Sequence, residues 1–356
     1  MHAARYLGDA AIAVAELEPV PPGPTQVQIG VEFTGICGTD LHIRHGAMDG
    51  RVRVPAVLGH EMSGRITALG PGVSGWRVGD PVTVMPLRWC GSCPACLAGH
   101  RHICHRLDFL GIDSPGAMQQ RWTVPSELLV RVPDGVPLRD AALVEPTAVA
   151  VHDVTRAGLL AGESAVVIGG GPVGVLIACV ARSVGAEVVV VEPDPHRRRI
   201  AQQLGLSVLD PGGAPGGQEI EAEIRERTGG AGAAVAFEVS GSAPGLATAL
   251  SVLAVRGRLV VVGIHSEPRT VDLHRVFLRE LTLLGARVYE RSDFERAVQL
   301  IADGTIPASR LVTRVEPLTC AAAAFAALES GGDVMKVLVD CAGQEPGGPD
   351  VGRGEE

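Results

Sequence analysis

The residues with the most chemistry in the fewest positions lie between Gly35 and Glu61. They are Cys37, Thr39 and His42 in Gly35-Ile-Cys-Gly-Thr-Asp-Leu-His42, followed by Gly59-His60-Glu61. A thiol, an imidazole and a carboxylate form a borderline-soft donor set suited to zinc, and a site with few protein ligands keeps a position open for water or substrate. Cys37, His60 and Glu61 are therefore candidate ligands. The same residues also suit a buried thiol and a satisfied core histidine, so this stretch alone leaves both readings open.

A second cluster, Cys90-Gly-Ser-Cys93-Pro-Ala-Cys96 and then Cys104, has the spacing C-x2-C-x2-C-x7-C. Three of these thiols are too close in sequence to pair sensibly, whereas one tetrahedral ion takes all four. Four thiolates leave no open position, so zinc here is structural and pins a loop without a core of its own. Four of the eight cysteines lie in this cluster, which suits metal and a reducing, cytoplasmic compartment better than a disulfide scaffold. His100, His102 and His105 stand nearby and are expected to be solvated.

The third motif is Gly169-x-Gly171-x-x-Gly174. It follows an apolar strand-like run, Ala165 to Ile168, and opens a helix-like run, Val175 to Val184. Glu192, at the end of the next strand pattern, supplies the acid expected about 20 residues on. These are the parts of a dinucleotide site: the glycines admit a pyrophosphate to a helix N-terminus, and the acid holds the ribose hydroxyls. Arg197, Arg198 and Arg199 compete with Glu192 over a 2′-phosphate. The carboxylate is expected nearer the ribose, so NAD is favoured over NADP.

Positioning these groups takes two kinds of structure. The first 120 or so residues read as short strands with turn punctuation at Pro19 to Pro24, Gly70-Pro71-Gly72 and Gly79-Asp80. From Gly162, β-rich runs alternate with helical ones, which implies a parallel sheet with crossovers. A chain of 356 residues suits two domains, and its formal charge of −9 argues against a nucleic-acid or anionic-membrane surface. The most apolar run, Ala165 to Ala181, is broken by four glycines and a proline, so no membrane span is expected. Asp9, Glu16 and Glu18 crowd the N-terminus, with no basic region before an apolar core, so no signal peptide is expected.

With all three motifs in this order, the chain resembles the zinc-dependent medium-chain dehydrogenases, in the branch of butanediol, polyol (sorbitol) and L-threonine dehydrogenases. The resemblance runs from about Val27 to Asp340. It implies an α/β protein: a GroES-like, mostly β catalytic domain over residues 1–150, carrying the structural zinc lobe and completed by about 290–341. A Rossmann, doubly wound parallel-sheet domain over 151–289 would bind the cofactor. A disordered tail is expected from 342 to 356. The implied assembly is a homodimer or homotetramer with two zinc ions per chain.

The resemblance also extends residue by residue. Leu143-Val-Glu145-Pro146 matches a Glu-Pro that aims a carboxylate into the zinc site, although an acid at a helix start needs no such role. Thr39 and His42 match a proton relay; otherwise they are a turn hydroxyl and a packed imidazole. Val173 and Arg197, with Val262, Gly263, Ile264, Val288 and Tyr289, match positions that contact the cofactor. The implied activity is hydride transfer between NAD and a secondary alcohol: a diol, polyol, sugar acid, cyclitol or threonine. A different class of reading is a dehydrogenase-fold subunit that binds without catalysis.

Two departures bear on substrate. Val288 stands where sorbitol dehydrogenases usually place an arginine, and Gly116-Ala-Met-Gln-Gln-Arg-Trp122 replaces the common Gly-Gly-Phe-Ala-Glu-Tyr. Arg44 and Arg88 either reach the pocket, where they would meet a carboxylate or phosphate, or lie on the surface.

Overall fold

The computed structural model describes residues 1–212 and 218–343. The tail expectation falls almost wholly outside them. The strand Gln26–Gly35 is the organising element of the first half. Its alternating Val27, Ile29 and Val31 are buried, as a strand with one face on a core requires. It pairs antiparallel with Glu61–Leu69, Arg121–Pro125 and Lys336–Asp340 in a seven-stranded sheet that also holds Pro81–Val84, Leu129–Arg131 and Val312–Pro317.

The register sets the chemistry. Gly35 lies opposite Glu61 on one side and Leu338 on the other. A Cβ on Gly35 would sit only 2.1 Å from Glu61 Oε2 and 3.1 Å from Lys336 Cε. Glycine at this point makes room for a buried carboxylate and a buried ammonium.

The second sheet has six parallel strands in the order Ser207–Leu209, Glu187–Val191, Ser164–Ile168, Ala233–Glu238, Leu253–Val261 and Thr282–Gly285. That is the doubly wound order whose switch point lies between the third and fourth strands. Continuous valine runs form these strands because helices cover both faces. Pro172–Ser183 is one of the helices, and it packs directly on Val144–Ala157. Gly174 allows this helix to start against the sheet: its added Cβ would lie 1.8 Å from the Gly169 carbonyl oxygen. Among the described residues, no helix is long and apolar enough to cross a membrane.

Candidate active site

The side chains of Cys37, His60 and Glu61 converge, with one ligand atom from each lying within 4.8 Å of the others. Cys37 caps the helix Gly38–Arg44, and His60-Glu61 leads into the strand Glu61–Leu69. Asp40 backs the group. It is fully buried, accepts the Cys37 N–H at 2.9 Å and places Oδ1 3.8 Å from His60 Nδ1. Burial raises its pKa, partly offset by His60. For His60 itself, burial alone would lower the pKa, but Asp40, then Cys37, outweigh it and hold it well above the ordinary value.

Asp40 Oδ1 and His60 Nδ1 are buried without hydrogen-bond partners among the described residues, and Glu61 Oε2 is met by the Lys336 ammonium. Leaving such groups unsatisfied is costly. A thiol, an imidazole and a carboxylate gathered this way fit a zinc ion, and Asp40 suits the outer partner that orients a metal-ligating histidine.

Lys336 completes the surroundings. The only lysine in the chain, it is 3% exposed, ion-paired with Glu61, and donates to the Ile36 carbonyl at 2.9 Å. Burial alone would lower its pKa; Glu61, then Cys37, reverse this and raise it.

Glu145 lies in the first turn of the helix Val144–Ala157, 4% exposed, and is not one of the three closely gathered groups. Burial lifts its pKa to about 7 against the pull of His60, while Glu61 adds to the rise. Tyr289 donates its hydroxyl to Glu145 Oε1 at 2.8 Å. Tyr289 itself is fully buried and lines neither principal cavity, so it differs from the expected nicotinamide contact and instead supports the acid. Its predecessor Val288 has φ 49°, a left-handed conformation that costs a β-branched residue about 1–3 kcal/mol. This turn sends Tyr289 inward and leaves Arg287 and Val288 in the cavity wall.

Two cavities meet at Cys37 and Glu61. One, about 620 Å³, is lined by Thr39, His42, His60, Glu61 and Glu145, together with Val262, Gly263, Ile264 and Val288. The other, about 560 Å³, is lined by Gly169, Gly171, Gly174, Glu192 and Arg197, with Lys336 at its inner end. Cys37, Glu61 and Val173 belong to both. The Glu192 carboxylate accepts N–H bonds from Gly170 at 2.6 Å and Asp194 at 2.7 Å. Arg198 is held by Asp210 and by two main-chain carbonyls, and Arg199 lies against His196. Of the three arginines, only Arg197 lines the cofactor cavity.

The four-cysteine segment forms its own small cluster. Three Sγ···Sγ separations are 3.5, 3.8 and 4.0 Å. A tetrahedron with Zn–S bonds of about 2.3 Å has sulfur edges of roughly 3.8 Å. Main-chain N–H groups of Cys93, Cys90 and Arg106 point at the sulfurs at 3.3–3.4 Å. The Ser92 N–H leads the contacts that pull the Cys90 thiol down to about 5.

The neighbouring histidines do not share one environment. His100 and His105 are exposed, but His102 is 8% exposed, contrary to the expectation of solvation. Its ring meets that of His152 edge-on at 4.9 Å, and His152 Nδ1 lies 2.8 Å from Asp293. The lobe is thereby docked onto the helix that carries Glu145.

Of the two readings open for Arg44 and Arg88, the structure gives the one away from the pocket. Arg44 pairs with Glu329 and the Ala10 carbonyl, and Arg88 with Asp108; neither lines the metal cavity. Arg51 and Arg287 do. No local pattern marked them, since their approach depends on segments more than 200 residues apart.

The comparisons agree with this geometry. Residues 23–134 match the family model of the alcohol dehydrogenase GroES-like domain, and 172–303 that of zinc-binding dehydrogenases. The chain is 47% identical to 2-dehydro-3-deoxy-L-galactonate 5-dehydrogenase of Pseudoalteromonas atlantica, covering 96% of this chain and 99% of that one. The structure of 2R,3R-butanediol dehydrogenase from Bacillus subtilis superposes with a TM-score of 0.86 at 32% identity, over 95% of this chain and 99% of its own. A zinc-binding dehydrogenase from Sinorhizobium meliloti, crystallised with NADP, gives 0.89 at 29% identity, over 95% and 98%. With both family models matched and the mixed-donor group lying where a glycine-turn cavity meets a second one, the chain belongs to the zinc-dependent medium-chain alcohol dehydrogenases, in their polyol dehydrogenase branch.

Proposed function

We propose that the enzyme oxidises a secondary hydroxyl of a sugar acid or polyol, with NAD as its partner, at the seam of the two cavities. The observation that carries this is that Cys37 and Glu61 line both. A carbon presented to the metal-ligand group therefore lies beside the space for the nicotinamide ring. The name of the Pseudoalteromonas relative supports sugar acids as the substrate class.

In this reading Cys37, His60 and Glu61 hold zinc, and Glu145, from the same cavity wall, exchanges places with water or substrate. Zinc held there supplies Lewis-acid polarisation of the alcohol oxygen, and nicotinamide supplies the hydride acceptor. The protein's part is to orient and to move protons. Thr39 takes the hydroxyl proton and passes it to His42, whose half-buried imidazole opens the way to solvent. Tyr289 holds Glu145 in place. Cys90, Cys93, Cys96 and Cys104 hold a second, structural zinc.

NAD is favoured because a 2′-phosphate at Glu192 would meet a carboxylate that is 4% exposed and fixed by two N–H groups. Arg197 alone cannot offset that charge. Residues 1–150 with about 290–341 act as the catalytic domain and 151–289 as the cofactor domain. A homodimer or homotetramer in the cytoplasm is the proposed form. The outer strand Thr282–Gly285, beside the exposed Leu273, Phe277 and Leu278, supplies an edge for pairing.

The test is a steady-state panel of aldonates, alditols, vicinal diols and threonine with NAD and with NADP, following reduced nicotinamide. Sugar acids or polyols with NAD should give the highest kcat/KM, and Glu192→Ala should weaken NAD use far more than NADP use. A wild-type preference for NADP would remove Glu192 from its role. Turnover of none of these alcohols would remove the proposed activity.

A further inference from the structure

Within the larger cavity, the charges are unevenly matched. Arg51 grips Asp113 with both ends of its guanidinium, each contact 2.6 Å. Arg287 stands near this pair and feels both charges, but makes no hydrogen bond or ion pair of its own among the described residues. The nearby acid is already taken. Arg287, an exposed residue of this wall, is thus an unpaired guanidinium among the described residues.

A second observation points to a polar ligand in the same space. Asp153, two turns beyond Glu145 on the same helix, also belongs to the cavity wall. It is 0% exposed, and neither carboxyl oxygen has a hydrogen-bond partner among the described residues. Burial, then Asp293, pushes its pKa well above the ordinary value, toward the protonated form, in which a carboxyl donates as well as accepts. A diol without a carboxylate would leave the guanidinium without a counter-charge. A polyhydroxylated acid answers both.

We infer that Arg287 is the residue that reads the carboxylate of a sugar-acid substrate, with Asp153 reading one of its hydroxyls. This inference rests on the sugar-acid reading above and names its recognition elements. A guanidinium fork matches the two oxygens of a carboxylate. A phosphate ester carries nearly twice the charge, and Arg51, neutralised by Asp113, is not available to share it. One free cation suits a monoanion. Neither residue touches the reacting carbon in this account; both set which chains are held and in which direction.

The experiment is calorimetric titration of the zinc-loaded enzyme in complex with NADH, in which an alcohol cannot be oxidised. The probes are galactonate, galactitol and galactitol 1-phosphate. Wild type should bind galactonate roughly tenfold or more tightly than galactitol, the size expected of a charge-assisted contact. Arg287→Gln should abolish that preference while leaving the galactitol Kd within about twofold, and Arg287→Lys should restore part of it. Asp153→Ala should weaken both ligands by a similar factor of roughly 3 to 10.

Equal binding of galactonate and galactitol to wild type would overturn the inference, and so would a preference that survives Arg287→Gln. Tighter binding of the phosphate ester than of galactonate would overturn the carboxylate assignment. Oxidation of sugars with NAD but without preference for the acid would sink this inference and leave the proposed activity standing. A preference in binding without turnover would do the reverse.

Discussion

The two candidate metal-ligand clusters meet opposite demands with similar parts. Around Cys90, Cys93, Cys96 and Cys104, every donor is a sulfur and main-chain N–H groups close over the sulfurs. Cys37, His60 and Glu61 mix three donor types and face two cavities. Around them lie further buried ionisable groups: Asp40, Glu145 and Lys336, which pairs with Glu61. The closed cluster stands where a loop lacks a core, and the open one where two sheets already supply it. A set of identical donors secures the chain, whereas an open, mixed set leaves room for exchange.

The largest effect expected from breaking this contrast is on the closed side. Cys93→Ser removes one of four thiolates, and structural zinc in small folds contributes an apparent binding energy on the order of 10–16 kcal/mol. The variant should be poorly soluble or melt well below wild type, and circular dichroism during heating will show it. A Cys93→Ser protein with the wild-type melting temperature would mean that the lobe needs no metal.

Lys336→Met comes next. It leaves Glu61 buried without its cation, a change that typically costs about 3–5 kcal/mol. Denaturant titration should show this loss in the metal-free protein, and added zinc should recover part of it, since a bound dication takes over the role of Lys336. Equal loss with and without zinc would separate Glu61 from the metal.

Glu145→Gln keeps shape and removes charge. Turnover should fall by roughly 10- to 1000-fold, the range of acid–base and outer-sphere groups, with melting temperature and NAD affinity nearly unchanged. Wild-type turnover in this variant would reduce Glu145 to a helix-start acid.

The smallest effect concerns Asp153. Its pKa in the folded protein stands well above the ordinary 3.8, so the folded state holds the proton longer than the unfolded chain does. The stabilisation is complete below that ordinary value and is lost as pH rises toward the folded-state pKa. Asp153→Asn should therefore flatten the fall in stability above about pH 4, measured by thermal melts across pH. An unchanged slope would place an ionised carboxylate there.

Much of this contrast was legible in the sequence because it is local. The spacing of the four cysteines, the glycine turn and the acid ending the next strand all lie within single segments, so the parallel sheet and the cavity at the glycine turn could be read directly. Cys37 and His60-Glu61 were suggestive together because adjacent strands bring them side by side.

What escaped notice depends on distance along the chain. Lys336 reaches Glu61 only because the strand Lys336–Asp340 pairs with Gln26–Gly35. Tyr289 was expected beside the nicotinamide because strand ends there line the cofactor, but the left-handed turn at Val288 points its ring into the core. His102 looked solvated, since four thiolates need no fifth partner; its partner is His152, in another segment. Arg51 and Arg287 carry no pattern at all. Long-range charge pairing leaves no periodic mark on a sequence.

The most direct test of the two-site account is elemental analysis of zinc per chain in wild type and in Cys37→Ala, after mild dialysis against a weak chelator. The account predicts two zinc ions per chain in wild type and one in the variant, with the four-cysteine site still filled and the fold intact. Two zinc ions retained in Cys37→Ala would contradict it, because the open site would then be built on other residues.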